Sequence, residues 1–148
     1  MLSRRAVVFG SLLGGACLLA WLAVGCGDGG TRYPVEGQVL LGGKPLQGMA
    51  GSVRFVPDTA KGNLAPWSAT GPIDTAGRYK LSTRDSPGAP AGWYKVTVNV
   101  VPPGTSERET VKRPAIHPRY SSEKMTPLSI EVVADPRAGA YDLKTTRN

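Results

Sequence analysis

After residue 32 apolar and polar positions alternate along most of the chain, and the alternation stops repeatedly at Gly, Pro or Asp. A period of two between turn residues predicts strands with one buried and one wet face. The first strand covers 33–41, with Tyr33, Val35, Val39 and Leu41 on one face, and ends at Gly42-Gly43-Lys44-Pro45. The second, 52–56, turns Val53 and Phe55 inward; a loop at 57–66 leads to a short third strand at 67–73. Asp74-Thr75-Ala76-Gly77 has hairpin chemistry, an Asp able to bond the backbone ahead and a Gly free to take positive φ. A fourth strand follows at 78–83, with Tyr79 and Leu81 inward, and then 86–92 is expected as an unpaired loop rich in Gly and Pro. The strongest alternation is at 93–101, where Tyr94, Val96, Val98 and Val100 oppose Lys95, Thr97 and Asn99. A long polar loop at 102–127 has Ile116 and Tyr120 as its hydrophobic pins. Strands at 128–133 (Leu128, Ile130, Val132) and 140–144 (Tyr141, Leu143) close the chain, separated by a turn at 135–139. No segment after residue 32 has helical periodicity. The expected fold is all-β, a sandwich of about seven antiparallel strands with Greek-key connections.

The amino end follows a different pattern. Arg4 and Arg5 precede a stretch from Ala6 to Gly25 without a single charge. A basic start followed by an apolar stretch is the arrangement of an export signal. The stretch is long enough to span a bilayer as a helix. Gly10, Gly14, Gly15 and Gly25 weaken it as one, by about 1 kcal/mol each relative to Ala. It ends in Leu22-Ala23-Val24-Gly25-Cys26, which resembles the bacterial lipobox, with Ala23 where a leucine is usual and Leu22 one place further out. The resemblance implies a signal peptide at 1–25 and a lipidated Cys26, then a flexible tether at 26–32 and one domain at 33–148. Processing before Cys17 would leave the apolar run 18–24 on the mature protein. Two or three acyl chains hold a protein firmly at a membrane. The expected location is therefore the cell membrane or outer membrane, facing the periplasm or the exterior.

Composition narrows the chemistry. Of 18 basic and 11 acidic residues the signal removes Arg4 and Arg5, so 16 against 11 leaves +5. These charges are scattered, which disfavours nucleic acid as a partner. With Cys17 and Cys26 both assigned to the signal and its anchor, the domain has no thiol, and His117 is its one imidazole. A protein zinc site takes three or four nitrogen or sulfur ligands, so no metal is expected, and no other cofactor. A serine nucleophile would need His117 as its base, and no Gly-x-Ser-x-Gly run is present. The aspartates are dispersed, unlike a calcium loop, and Asp74 is better explained as a turn residue. Trp67 and Trp93 flank Pro-rich loops and are the candidate ligand contacts, since an exposed indole stacks on flat partners such as sugar rings. The competing assignment makes Trp93 the start of a core strand and Trp67 a cover for a sheet edge.

The order of motifs resembles a carboxypeptidase regulatory-like domain. The motifs are Val35-Glu36-Gly37-Gln38-Val39, Gly43-Lys44-Pro45-Leu46, Val53-Arg54-Phe55-Val56-Pro57, and the hairpin Ile73-Asp74-Thr75-Ala76-Gly77-Arg78-Tyr79. Ala89-Pro90-Ala91-Gly92-Trp93-Tyr94 resembles that family's Pro-Gly-x-Tyr strand, and Pro118-Arg119-Tyr120 with Tyr141-Asp142-Leu143 fits its bacterial lipoprotein branch. The resemblance implies a transthyretin-like (prealbumin-like) sandwich in a non-catalytic binding or structural role at the envelope, with a glycan or an envelope protein as partner. A carbohydrate-binding accessory module is the alternative it leaves, and a hydrolase a more distant one.

Overall fold

The period-two runs fold as strands. In chain order these are β1 (Arg32–Tyr33), β2 (Glu36–Leu41), β3 (Lys44–Pro45), β4 (Ala50–Pro57), β5 (Ala69–Ile73) and β6 (Arg78–Lys80). Then come β7 (Ser82–Thr83), β8 (Ser86–Pro87), β9 (Ala89–Pro90), β10 (Gly92–Val101), β11 (Ser129–Val132) and β12 (Leu143–Thr145). Two short 3-10 helices, η1 (Thr59–Lys61) and η2 (Pro118–Ser121), interrupt them. The computed structural model describes residues 30–102 and 115–147. The expected signal at 1–25, Cys17 and Cys26 lie outside the described residues, as does 103–114 of the long loop. Among the described residues no helix is long and apolar enough to cross a membrane.

Hydrogen-bonded neighbours run β11-β10-β4-β5-β6-β2-β12. Each pair on this path is antiparallel except the last, where β12 lies parallel to β2 with Leu143 opposite Val39. The sheet curls around one cluster of buried side chains. Val35, Val39, Val53, Phe55, Tyr94 and Val96 are fully buried there, each such side chain contributing about 1.5–3 kcal/mol of transfer free energy. The Phe55 ring lies 6.3 Å from that of Tyr79 and 5.8 Å from that of Tyr94, both tilted. Ile116 and Tyr120 are buried in the same cluster, so the long loop is pinned at the two expected points.

Several boundaries differ from the expected ones, three of them for a clear local reason. The first strand is interrupted, because Pro34 has no amide to give a ladder; β1 pairs with β9 and β2 with β6. The segment 86–92, expected to be unpaired, contributes β8 and β9, two-residue ladders in which Pro87 and Pro90 occupy marginal strands that tolerate a missing donor. The last strand starts at Leu143 rather than at 140, since Asp142 N–H bonds Gly139 O in a turn, yet Tyr141 is buried as expected.

Local chemistry fixes the turns. Gly42 and Gly43 have φ of +59° and +83° between the paired residues Leu41 and Lys44, the two positive values a two-residue hairpin turn requires. Asp74 acts as the turn residue it was expected to be. Its Oδ1 accepts from the amides of Ala76 and Arg78, each at 2.9 Å, and Arg78 Nε donates to Oδ2 at 3.0 Å. The core tyrosines also find partners for their hydroxyls, as buried polar groups generally do. Tyr94 donates to Pro90 O at 2.8 Å and Tyr79 to Tyr141 O.

Candidate functional site

Between β4 and β5 the chain makes a compact excursion. Asp58 begins it as the N-cap of η1, its carboxylate accepting from Ala60 N–H at 3.2 Å, and Gly62 closes it in the left-handed conformation with φ of +82°. The excursion is fastened to the start of β10. Asp58 N–H donates to Trp93 O at 2.9 Å, and Asn63 Nδ2 donates to the same carbonyl at 2.8 Å. Asn63 Oδ1 in turn accepts from Ala65 N–H at 3.0 Å. Asp58 and Asn63 are both buried. Gly92 leaves room for this arrangement, since a Cβ there would press on the Asn63 side chain and its φ of +137° suits glycine.

The fastening opens a shallow cleft of about 570 Å³, with the 61–66 stretch on one wall and 90–93 on the other. Trp93 is half-buried along it. The Lys61 ammonium lies 3.9 Å from the centre of the Trp93 ring and donates to Ser129 Oγ at 2.7 Å, a cation–π contact braced by a hydrogen bond. Glu131 is the ladder partner of Trp93 on β11 and is exposed at the cleft. Leu64, with 81% of its surface accessible, forms the apolar rim. The lining offers an indole, an ammonium, a carboxylate and exposed hydrocarbon, with neither imidazole, thiol nor hydroxyl.

Trp93 is the second residue of the core strand β10, as the competing assignment has it, and it also lines the cleft. Trp67 precedes β5, is 44% accessible, and packs under the Arg84 guanidinium, whose carbon lies 4.7 Å from the ring centre. It does not line the cleft. Arg84 holds φ of +55°, strained for a residue with a side chain. Lys61, Asn63, Leu64 and Glu131 are the cleft residues that sequence reasoning missed. The usable signal was Asp58 with Gly62, a start and a stop for one short helical turn inside what reads as loop.

Elsewhere the polar groups are engaged locally. A second cleft of about 350 Å³ is edged by Asp74 and Arg78 and by Glu36 and Lys80, and both pairs are ion-paired, at 3.0 and 2.6 Å. The Asp74 carboxyl is held below the usual carboxylate range, foremost by the Arg78 amide; its partial desolvation opposes this, while the Ala76 amide and the Arg78 side chain reinforce it. His117 is half-buried and caps η2, Nδ1 accepting from Arg119 N–H at 3.1 Å. Among the described residues no three His, Cys, Asp or Glu side chains gather as a metal site. Comparisons with protein-family models, with curated proteins and with solved structures return no match to this chain.

Proposed function

We propose that this chain is an envelope lipoprotein, anchored through acylated Cys26, whose β-domain has a non-catalytic binding or structural role. The observation that carries this reading is the position of the first strand. β1 starts at Arg32, so only Gly27-Asp28-Gly29-Gly30-Thr31 separates it from the lipobox-like cysteine. A folded domain that begins this soon after a cysteine at the end of an uncharged run suits a tethered module. The use of His117 as a helix cap supports a scaffold over a hydrolase, because the ring nitrogen nearest the backbone is already engaged.

For the fold we propose the transthyretin-like Greek-key sandwich of the regulatory-like family. Two features support it. The spatial order β4-β5-β6-β2 returns the earliest of four strands beside the last, which is Greek-key connectivity traced from its other end. The Tyr94 hydroxyl reaches back to the carbonyl of Pro90, the type of bond that marks a tyrosine corner in immunoglobulin-like sandwiches.

Mass spectrometry of the mature amino terminus tests the anchor. A terminus at Cys26 carrying thioether-linked diacylglycerol is expected, and Cys26→Ser should abolish both the adduct and the cleavage. An intact Met1 terminus with unchanged membrane retention in Cys26→Ser would overturn the reading in favour of an uncleaved apolar anchor.

A further inference from the structure

We propose that the 61–67 loop is the membrane-facing surface of the domain, with Leu64 and Trp67 entering the interfacial layer and Lys61 and Arg84 meeting anionic lipid head groups. The inference rests on the anchor reading above. It begins from where the chain enters the fold. Arg32, the first residue of β1, is the ladder partner of Pro90, and Pro90 lines the same cleft as Leu64 and Pro66. The root of the tether and the 61–66 wall thus sit at one end of the domain. Six Cα-to-Cα steps separate Cys26 from Arg32, so an acylated Cys26 cannot hold Arg32 further than roughly 20 Å away along the chain. A domain of this size is itself wider than that. The end that carries Arg32 and Pro90 is therefore the end that stays nearest the bilayer.

The side chains displayed at this end suit that neighbour. Leu64 and Trp67 are two of the three large hydrophobic side chains left exposed among the described residues. They lie three positions apart in one loop. Each is accompanied by a cation, Lys61 in the cleft beside Leu64 and Arg84 on the Trp67 ring. An indole with an apolar body and a polar edge favours the membrane–water boundary. Basic groups near an anionic leaflet gain about 1 kcal/mol each, roughly a fivefold preference. The chain's net positive charge has the same sign. A sugar seated on the Trp93 face would have to displace Lys61 from its bond to Ser129; a bilayer meeting Leu64 and Trp67 leaves that bond intact.

The full chain, processed in cells and reconstituted into vesicles of phosphatidylglycerol and phosphatidylethanolamine, supplies the test. Tryptophan emission is quenched with lipids brominated along the acyl chain, and the contribution that vanishes in Trp67→Phe is assigned to Trp67. Strong lipid quenching of that contribution is expected, falling about fivefold in Lys61→Gln and roughly thirtyfold in Lys61→Gln/Arg84→Gln, with Trp93 much less affected. If the protein stays with the vesicles through a high-salt wash and Trp67 is open to aqueous acrylamide but untouched by brominated lipid, the membrane-facing loop is wrong and the anchor stands. Protection of Trp67 by added cell-wall glycan fragments in place of lipid would equally overturn it and assign the loop to a glycan. Release of the protein by the wash removes both readings together.

Discussion

The hydroxyl of Tyr79 donates to the main-chain carbonyl of Tyr141 at 2.5 Å, a buried bond across 62 positions of sequence. It ties β6 to the turn that launches β12, the one strand laid parallel in the sheet. Gly37 is part of the same joint, because a Cβ there would run into the Tyr141 carbonyl. Tyr79→Phe keeps the ring against Phe55 and removes only the donor. The expected loss is about 1–3 kcal/mol, the cost of leaving a buried acceptor without its partner. Chemical denaturation measures it, and an unchanged midpoint would mean that water or a shifted backbone replaces the bond. Gly37→Ala should be the more damaging variant, since main chain must move.

The same hydroxyl gives an alkaline limit to stability. Burial, reinforced by the negative charge of Asp142 and by Tyr141, pushes the Tyr79 hydroxyl far above its usual range, and burial raises Tyr94 as well. The unfolded chain releases these protons near pH 10 while the folded chain keeps them. The folded form then binds more protons, so stability is level below about pH 10 and falls as pH rises above it. Unfolding midpoints measured from pH 8 to 11 should show this fall, and it should be shallower in Tyr79→Phe. Equal slopes in the two proteins would remove Tyr79 as a cause.

Asp74 sets the opposite, acidic limit. Its lowered carboxyl means that the folded chain stays ionised where the unfolded chain begins to protonate, near pH 3.9. The contribution is complete above that pH and disappears as pH falls through the folded value. A carboxyl NMR titration should give Asp74 a midpoint below that of a free aspartate. Asp74→Ala should loosen the 74–78 hairpin. Asp74→Asn should do so less, because an amide oxygen can still accept from Ala76 and Arg78. Identical Ala and Asn variants would show that charge, not turn geometry, is what Asp74 contributes.

Asn63 holds the cleft together from one side chain, donating to Trp93 O and accepting from Ala65 N. Asn63→Ala leaves Ala65 N–H without its partner and Trp93 O with only the Asp58 amide, and should cost about 1–3 kcal/mol. The local consequence is more telling than the global one. Trp93 emission should shift to the red as the 61–66 wall swings away and the indole is hydrated. Asn63→Asp retains only the acceptor, so it should preserve the Ala65 contact and lose the tie to Trp93. A Trp93 spectrum unchanged in Asn63→Ala would mean that Asp58 and Lys61 position the wall without it.

Much of the core was legible because period two survives wherever one sheet face is buried. Val53, Phe55, Tyr79, Leu81, Tyr94, Val96 and Val98 all face the core as the alternation implies. Pairing partners leave no such trace. Nothing in Leu143-Lys144-Thr145 distinguishes a strand laid parallel to β2 from one laid antiparallel, because both directions present the same alternate residues. The cleft was harder to see for another reason. The polar contacts of Asn63 are to main-chain atoms, and it reaches Trp93 O from 30 positions away. Trp93 could be singled out as an aromatic beside a Pro-rich loop; the Lys61 that covers it belongs to a turn whose position depends on the completed sheet.

His117 offers the sharpest separation between structural and chemical roles. Its Nδ1 accepts from Arg119 N–H, and its own amide donates to Thr146 O at 2.9 Å. The Tyr120 hydroxyl lies 3.2 Å from Thr146 Oγ1, with Arg119 also donating to it at 3.1 Å. The ring thus heads a clasp between η2 and the segment after β12, and through Tyr120 the clasp reaches the core. Replacing a capping acceptor by alanine costs about 0.5–2 kcal/mol, and His117→Ala should fall in that range by thermal or urea unfolding. Asparagine offers an oxygen at similar reach, so His117→Asn should recover most of the loss. A catalytic imidazole would behave differently, because the asparagine variant would be stable and inactive in any hydrolytic assay that the wild-type chain passes. Recovery of stability without loss of a measurable activity is the outcome expected of a cap.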